Sequence, residues 1–317
     1  MTEHMQKRID MDQILARFDA LMQRLDALLP PLPPPTDWKA SIAFRWRKGQ
    51  GFGARGWLDP VRHVHKVTLS DLQGIDAQIA KVEQNTRQFV AGKPANNVLL
   101  TGARGTGKSS MIKGLLNKYA KNGLRLIEVD KADLVDLPAI VDSIAGRDER
   151  FLLYCDDLSF EEAEPGYKAL KVALDGSIST TSDNLLIYAT SNRRHLMPEY
   201  MQENLETKYV GDEIHPGETV EEKISLSERF GMWVSFYPFS QDEYLDIVAH
   251  WLGQLGCGQR EVEASREEAL QWALLRGSRS GRVALQFARD WTGRVHERKA
   301  VARRPAKPAK PAKRTGK

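Results

Sequence analysis

Cysteine is almost missing from this chain: Cys155, inside an apolar run, and Cys257, in a Gly-Cys-Gly turn, are the only two among 317 residues. Neither has the spacing of a metal-binding pair, and two lone thiols suit a reducing compartment, so a cytoplasmic location is expected. Long apolar runs are missing as well. No stretch approaches the ~18 consecutive apolar residues that span a bilayer. The N-terminal MTEHMQKRIDMDQ lacks the apolar centre of a signal peptide, so no membrane attachment is expected. Acid is missing from one end. After Glu297 there are nine Lys or Arg residues and no Asp or Glu, so the formal net charge of +4 hides a body that is net acidic. The Ala, Lys and Pro of residues 299–317 cannot build a core, and a disordered tail is expected there. Such a tail solubilises. It could also bind nucleic acid through phosphate contacts, but it has no aromatic side chain to stack on bases.

What is present suffices for a sizeable core: 41% of residues are apolar and 28% charged. Within residues 1–29, Met11, Leu15, Phe18, Met22, Leu25 and Leu29 recur at helical spacing, widened by Ile14, Leu21 and Leu28. The amphipathic helix they predict ends at Pro30, and the proline-rich stretch 30–36 forms an extended spacer. Docking on the body is the expected fate of this helix; pairing with another copy and holding a partner are the alternatives. Residues 37–66 interleave aromatics with Arg, Lys and Gly in WKASIAFRWRKGQGFGARGW. That mixture could contact nucleic acid, although packing onto the following domain is the expectation.

From residue 67 to 238 apolar strands alternate with helices: VLLT at 98–101, LRLIEVD at 124–130, FLLYCDD at 151–157, LLIYATS at 185–191 and WVSFY at 233–237. This predicts an α/β domain with a parallel sheet and helices on both faces. Residues 239–298 then read as a small all-helical domain. Its helices are predicted to open at Ser240 with Glu243, at Ser265 with Glu268, and at Ser280.

The strongest chemical signal is Gly102-Ala103-Arg104-Gly105-Thr106-Gly107-Lys108-Ser109, which matches G-x-x-x-x-G-K-[ST] directly after a strand and opens a helix. Glycines let backbone N–H groups wrap phosphates, the helix N-terminus favours negative charge, and Lys108 reaches the β- and γ-phosphates. With Ser110, these residues form the candidate ATP-binding set, and Ser109 is a candidate Mg²⁺ ligand. Asp156 and Asp157 close a neighbouring strand, where carboxylates hold Mg²⁺ in P-loop proteins. Asp156 is assigned to the metal through water and Asp157 to polarising the attacking water.

With these motifs in place, the chain resembles the AAA+ ATPases from about Val67 to Arg298. SDLQGID (70–76) is similar to the segment that packs on adenine in that superfamily, and Asn192 in ATSNRR matches its polar sensor. Arg229 in SERFGMW matches the arginine finger, and Arg282 in GSRSGRVAL the lid arginine that touches the γ-phosphate. More narrowly, CDDLSFEE, ATSNRRHLMPE and ISLSERFGMWVSFYPFSQDEYL resemble a bacterial AAA+ family that carries only a domain-of-unknown-function label. The resemblance implies a P-loop fold with a helical lid, MgATP hydrolysis in a homo-oligomer, and an unidentified protein partner. One residue departs from the pattern: Asp157 stands where most AAA+ proteins have Glu, one methylene longer, and small misplacements of a water are costly. Glu161 or Glu162 could substitute. An ATP-gated switch or loader that scarcely hydrolyses is the competing reading. The polar segment 203–222 reads as an insertion, expected to be a solvated loop.

Overall fold

The computed structural model describes residues 11–28, 34–49, 55–160, 164–175, 183–192, 208–210, 213–215, 226 and 228–302. The basic tail beyond 302, Glu161, Glu162 and most of the 203–222 insertion lie outside them. Within that insertion the structure places a short antiparallel pair, β7 (Lys208–Val210) and β8 (Glu213–His215).

The central sheet has seven strands in the order β2-β1-β4-β5-β6-β3-β9. They are β1 (Ala43–Lys48), β2 (Gly56–Pro60), β3 (Val98–Gly102), β4 (Leu124–Glu128), β5 (Arg150–Cys155), β6 (Leu185–Ser191) and β9 (Met232–Phe236). All neighbours run parallel except β2, which closes one edge antiparallel to β1. The five strands expected from the apolar runs are all present.

Two more strands come from the segment expected to be a pre-domain, so the sheet begins at Ala43, upstream of residue 67. Trp38 lies against Phe44 and Phe151, and the Trp46 indole N–H donates to Asp136 at 3.1 Å. These aromatics pack into the body, as expected over the nucleic-acid alternative.

Alternate residues of each central strand face opposite cores, which is why the strands read as unbroken apolar runs. Leu100, Leu152, Tyr154, Leu186 and Tyr188 join one core with α2 (Asp76–Val90) and α3 (Lys108–Tyr119). Leu99, Leu153, Cys155, Ile187 and Ala189 join the other with α4 (Leu137–Ile144) and α5 (Pro165–Leu174).

Three helices follow β9: α6 (Gln241–Gln254), α7 (Gln259–Leu275) and α8 (Gly281–Ala302). They extend the first core through Tyr244, Val248, Ala273 and Phe287. Ser240 and Glu243 cap α6 reciprocally, as expected. Ser280 caps α8 by accepting from the Val283 N–H at 3.3 Å.

The expectation that Ser265 opens a helix is corrected. Helix α7 starts two turns earlier at Gly258, whose N–H is taken by Glu261 at 2.8 Å, and the buried Ser265 hydroxyl donates back to Val262 O. Glu261 supplies the reciprocal half of a capping box without any Ser or Thr.

The N-terminal helix α1 (Met11–Leu28) forms as expected, but docking on the body is also corrected. Ile14, Leu15, Phe18, Leu21 and Met22 are between 42% and 56% exposed. Both faces of the sheet are already covered by other helices, and β2 takes one edge.

Candidate functional site

The site forms where β3, β5 and β6 end, because parallel strands of a doubly covered sheet bring their C-terminal loops to one edge. Strand β3 runs into the P-loop at Gly102, whose parallel neighbour is Phe236. A Cβ at Gly102 would lie 1.9 Å from the Phe236 carbonyl oxygen, so only glycine lets the two backbones approach this closely. The loop closes through the Thr106 hydroxyl, which donates to Ala103 O at 2.8 Å, and Gly107 enters α3 with φ of 100°. Ser109 and Ser110 lie in the first turn of α3.

Lys108 is only 6% exposed. Its ammonium folds back over the loop and donates to Gly102 O at 2.7 Å, Ala103 O at 2.8 Å and Asn192 Oδ1 at 3.2 Å. Burial pushes its pKa below the usual lysine value. Asp156 and Asp157 oppose that shift, and the nearby Arg104 and Arg282 guanidiniums reinforce it.

Asp156 sits one residue past β5. Its Oδ1 accepts from the Ser109 hydroxyl at 2.8 Å and the Thr190 hydroxyl at 2.5 Å. Burial pushes this carboxyl upward, but the Thr190 and Ser109 hydroxyls, with the Tyr154 hydroxyl close by, hold it below the ordinary aspartate value.

Asp157 takes the left-handed region with φ of 51°, which turns its carboxylate away from the strand direction. Its N–H donates to Thr190 Oγ1 at 2.9 Å, its Oδ1 accepts from Asn192, and its Oδ2 lies 3.5 Å from Arg104. The sequence-predicted residues Lys108, Ser109, Asp156, Asp157, Asn192 and Arg104 therefore meet in one connected network.

The lid reaches the same loop. A Cβ at Gly105 would lie 2.8 Å from Ser280 Oγ, 2.9 Å from Ser280 Cβ and 3.4 Å from Arg282 Cβ. On the other side, Leu72 and Ile75 of SDLQGID approach Gly107. Gly105 also has φ of 76°. Gly105→Ala is expected to cost about 1–2 kcal/mol in stability from the left-handed backbone alone. Displacement of the 280–282 turn adds to that, and chemical denaturation of the purified variant reads it as a lower midpoint with unchanged slope.

Arg229 lies elsewhere. It is three residues ahead of β9, whose first residue pairs with Val98 at the start of β3, and it bonds Asp175 at the C-terminal end of α5. The strand β9 separates it from the P-loop edge by about 13 Å.

Thr190 is the residue that the sequence reading missed. Strand register offered a signal, since Cys155 pairs with Ala189 and so sets Asp156 beside Thr190.

The donor set fits a phosphate ligand with a hard divalent cation. Lys108, Arg104 and Arg282 supply positive charge, and Ser109 and Asp156 supply two oxygens. Among the described residues no group of three His, Cys, Asp or Glu could hold a metal alone. A cation here would therefore share phosphate oxygens and waters, the habit of Mg²⁺. Among the described residues no helix is long and apolar enough to cross a membrane.

Residues 39–295 match the model of a family described as "Protein of unknown function (DUF815)". No curated protein matches the sequence. Among solved structures, the Aeropyrum pernix ORC1 protein in complex with DNA is similar at TM-score 0.50 and 14% identity, over 72% of this chain and 61% of that one. The Thermotoga maritima RuvB Holliday junction branch migration motor gives TM-score 0.46 and 16% identity, over 75% of this chain and 67% of that one. A chain of the E. coli MS115-1 HORMA:CdnC:Trip13 complex gives TM-score 0.45 and 12% identity, over 70% and 90%. At these identities the likeness shows the fold alone, an α/β domain followed by a helical region.

Proposed function

Because the chain belongs to the DUF815 family and has the AAA+ fold, we propose that it is a MgATP-dependent ATPase whose active site is completed by a second copy. The observation that carries this reading is the single network of Lys108, Asn192, Asp157, Arg104, Ser109 and Asp156 around the P-loop. Backbone N–H groups from Gly102 to Ser110 and the Lys108 ammonium bind the triphosphate. Leu72 and Ile75 offer an apolar wall beside Gly107 for the base. Ser109 and Asp156 would hold Mg²⁺, which when bound would supply charge neutralisation for the phosphates. Asp157 orients water, with its carboxylate fixed by Asn192, and Asn192 links that carboxylate to Lys108. Arg229 cannot serve its own P-loop from the far end of β9, and an arginine finger offered to a neighbouring copy suits its position. Arg282, on the lid beside Gly105, couples nucleotide state to lid angle and so to remodelling of an unidentified partner.

One observation favours a slower device. Both carboxylate oxygens of Asp157 are engaged, one by Asn192 and one by Arg104. A shortened, doubly held carboxylate suits an ATP-gated switch better than a fast hydrolase. Steady-state phosphate release per chain, measured against chain concentration, separates the two. The shared-site ATPase shows specific activity that climbs with concentration. One ATP bound per chain with no phosphate release establishes the switch instead.

A further inference from the structure

The exposed face of α1 is not a random apolar patch. In sequence, Met11, Phe18 and Leu25 repeat every seven residues, as do Ile14, Leu21 and Leu28, and Leu15 and Met22. With Phe18 at heptad position a, these columns are a, d and e. A strict seven-residue period keeps a seam in register between supercoiling helices, whereas docking on a globular body requires no such period. The described part of this stripe, Ile14, Leu15, Phe18, Leu21 and Met22, is exposed in the single chain.

Charge says what covers it. At 100° per residue, Arg17 and Asp19 lie on opposite sides of Phe18, one on each edge of the apolar stripe. The sequence repeats this arrangement: Asp12 and Asp26 share the heptad column of Asp19, and Arg24 that of Arg17. Each helix therefore has a basic edge and an acidic edge. Side by side and parallel, the basic edge of one copy meets the acidic edge of the next. Antiparallel neighbours instead set Arg against Arg and Asp against Asp, which is unfavourable. A stripe widened from a and d to e also gives each helix two flanks to bury, more than a two-stranded seam needs.

We propose that α1 is a self-association element that assembles copies of this chain into a parallel bundle of three or more helices. The unlike edges make the contact head-to-tail around a rotation axis, the interface type that closes rings. Such a bundle holds copies together without nucleotide and independently of the P-loop network.

The test uses the full chain without nucleotide. In a Cys257→Ser background, Ile14→Cys places one thiol per chain at a d position, and Cys155 is buried. Mild oxidation is expected to give covalent dimers, and light scattering of the unoxidised chain is expected to give a mass of three or more copies. Adding Phe18→Glu should return the mass to one chain and abolish the cross-link, with ATP binding unchanged because α1 contributes nothing to that site. Two charge variants extend the test, one with Arg17 and Arg24 changed to Asp, the other with Asp12, Asp19 and Asp26 changed to Arg. Each should be monomeric alone and associate when mixed. A monomeric parent chain, or cross-linking that Phe18→Glu leaves intact, overturns the proposal. So does a disulfide that forms only between Ile14→Cys and Leu25→Cys chains, which is the antiparallel signature. None of these results bears on hydrolysis, so a failure here leaves the ATPase reading standing.

Discussion

Lys108→Ala is expected to lower ATP affinity at least about 100-fold and to reduce turnover below detection. With ATP bound as proposed, the ammonium would exchange protein acceptors for two or more phosphate oxygens, and a hydrogen bond from a charged group contributes about 1.5–3 kcal/mol. Two such bonds exceed a hundredfold at about 1.4 kcal/mol per decade. The substitution also separates ligand binding from folding. Burial lowers the pKa of Lys108, so the fold disfavours the charged form relative to the unfolded chain. Wherever the lysine stays charged, the folded chain carries that penalty. Its three hydrogen-bond acceptors, Gly102 O, Ala103 O and Asn192 Oδ1, are neutral oxygens. Removing the side chain should leave the thermal midpoint unchanged or higher while nucleotide binding is lost. Isothermal titration with ATP beside a thermal melt reads both. Wild-type affinity in the variant would sink the P-loop assignment, and a collapse of the midpoint would recast Lys108 as a structural residue.

The elements most legible in the sequence are those buried on both faces. Strands β3, β5 and β6 read as near-continuous apolar runs because alternate residues enter two separate cores. The P-loop is legible for a related reason: its glycines are demanded by backbone geometry, as the approach of Gly102 to Phe236 O shows. Strands β1 and β2 escaped notice because AFRWRK and GWLDP carry charge and Pro, the marks of the sheet's margin. The alternation typical of a strand is still there, with Phe44 and Trp46 buried and Arg45 and Arg47 paired to Glu128 and Asp59.

The placement of single residues was legible only where the motif itself fixes the position. Thr190 looks like one more residue of an apolar strand until register sets it beside Asp156, where it binds both the Asp156 carboxylate and the Asp157 N–H. The start of α7 was misplaced because Ser265 and Glu268 imitate a capping box within a helix already two turns old. Local spacing cannot tell a capping serine from one that bonds back along its own helix.

Arg229→Ala is expected to lower ATP turnover by about 10³-fold or more, the range of arginine fingers, while ATP affinity stays near wild type. The split follows from position. Arg229 bonds Asp175 at the end of the sheet away from the P-loop, so its loss removes nothing from the Lys108 network that holds the phosphates. If the finger serves a neighbouring copy, the defect must be complementable. An equal mixture of Arg229→Ala and Lys108→Ala chains, each inactive alone, contains interfaces at which an intact P-loop faces an intact Arg229. Random mixing places such a pair at about a quarter of the interfaces, and phosphate release should recover to a corresponding fraction. Recovery depends only on which chain supplies which half. A mixture that stays inactive, from two variants that still assemble, means that the loss in Arg229→Ala is not that of a finger offered to a neighbour. If Arg229→Ala alone instead lowers the denaturation midpoint and leaves phosphate release per folded chain unaltered, the Asp175 pair is a structural contact and no finger.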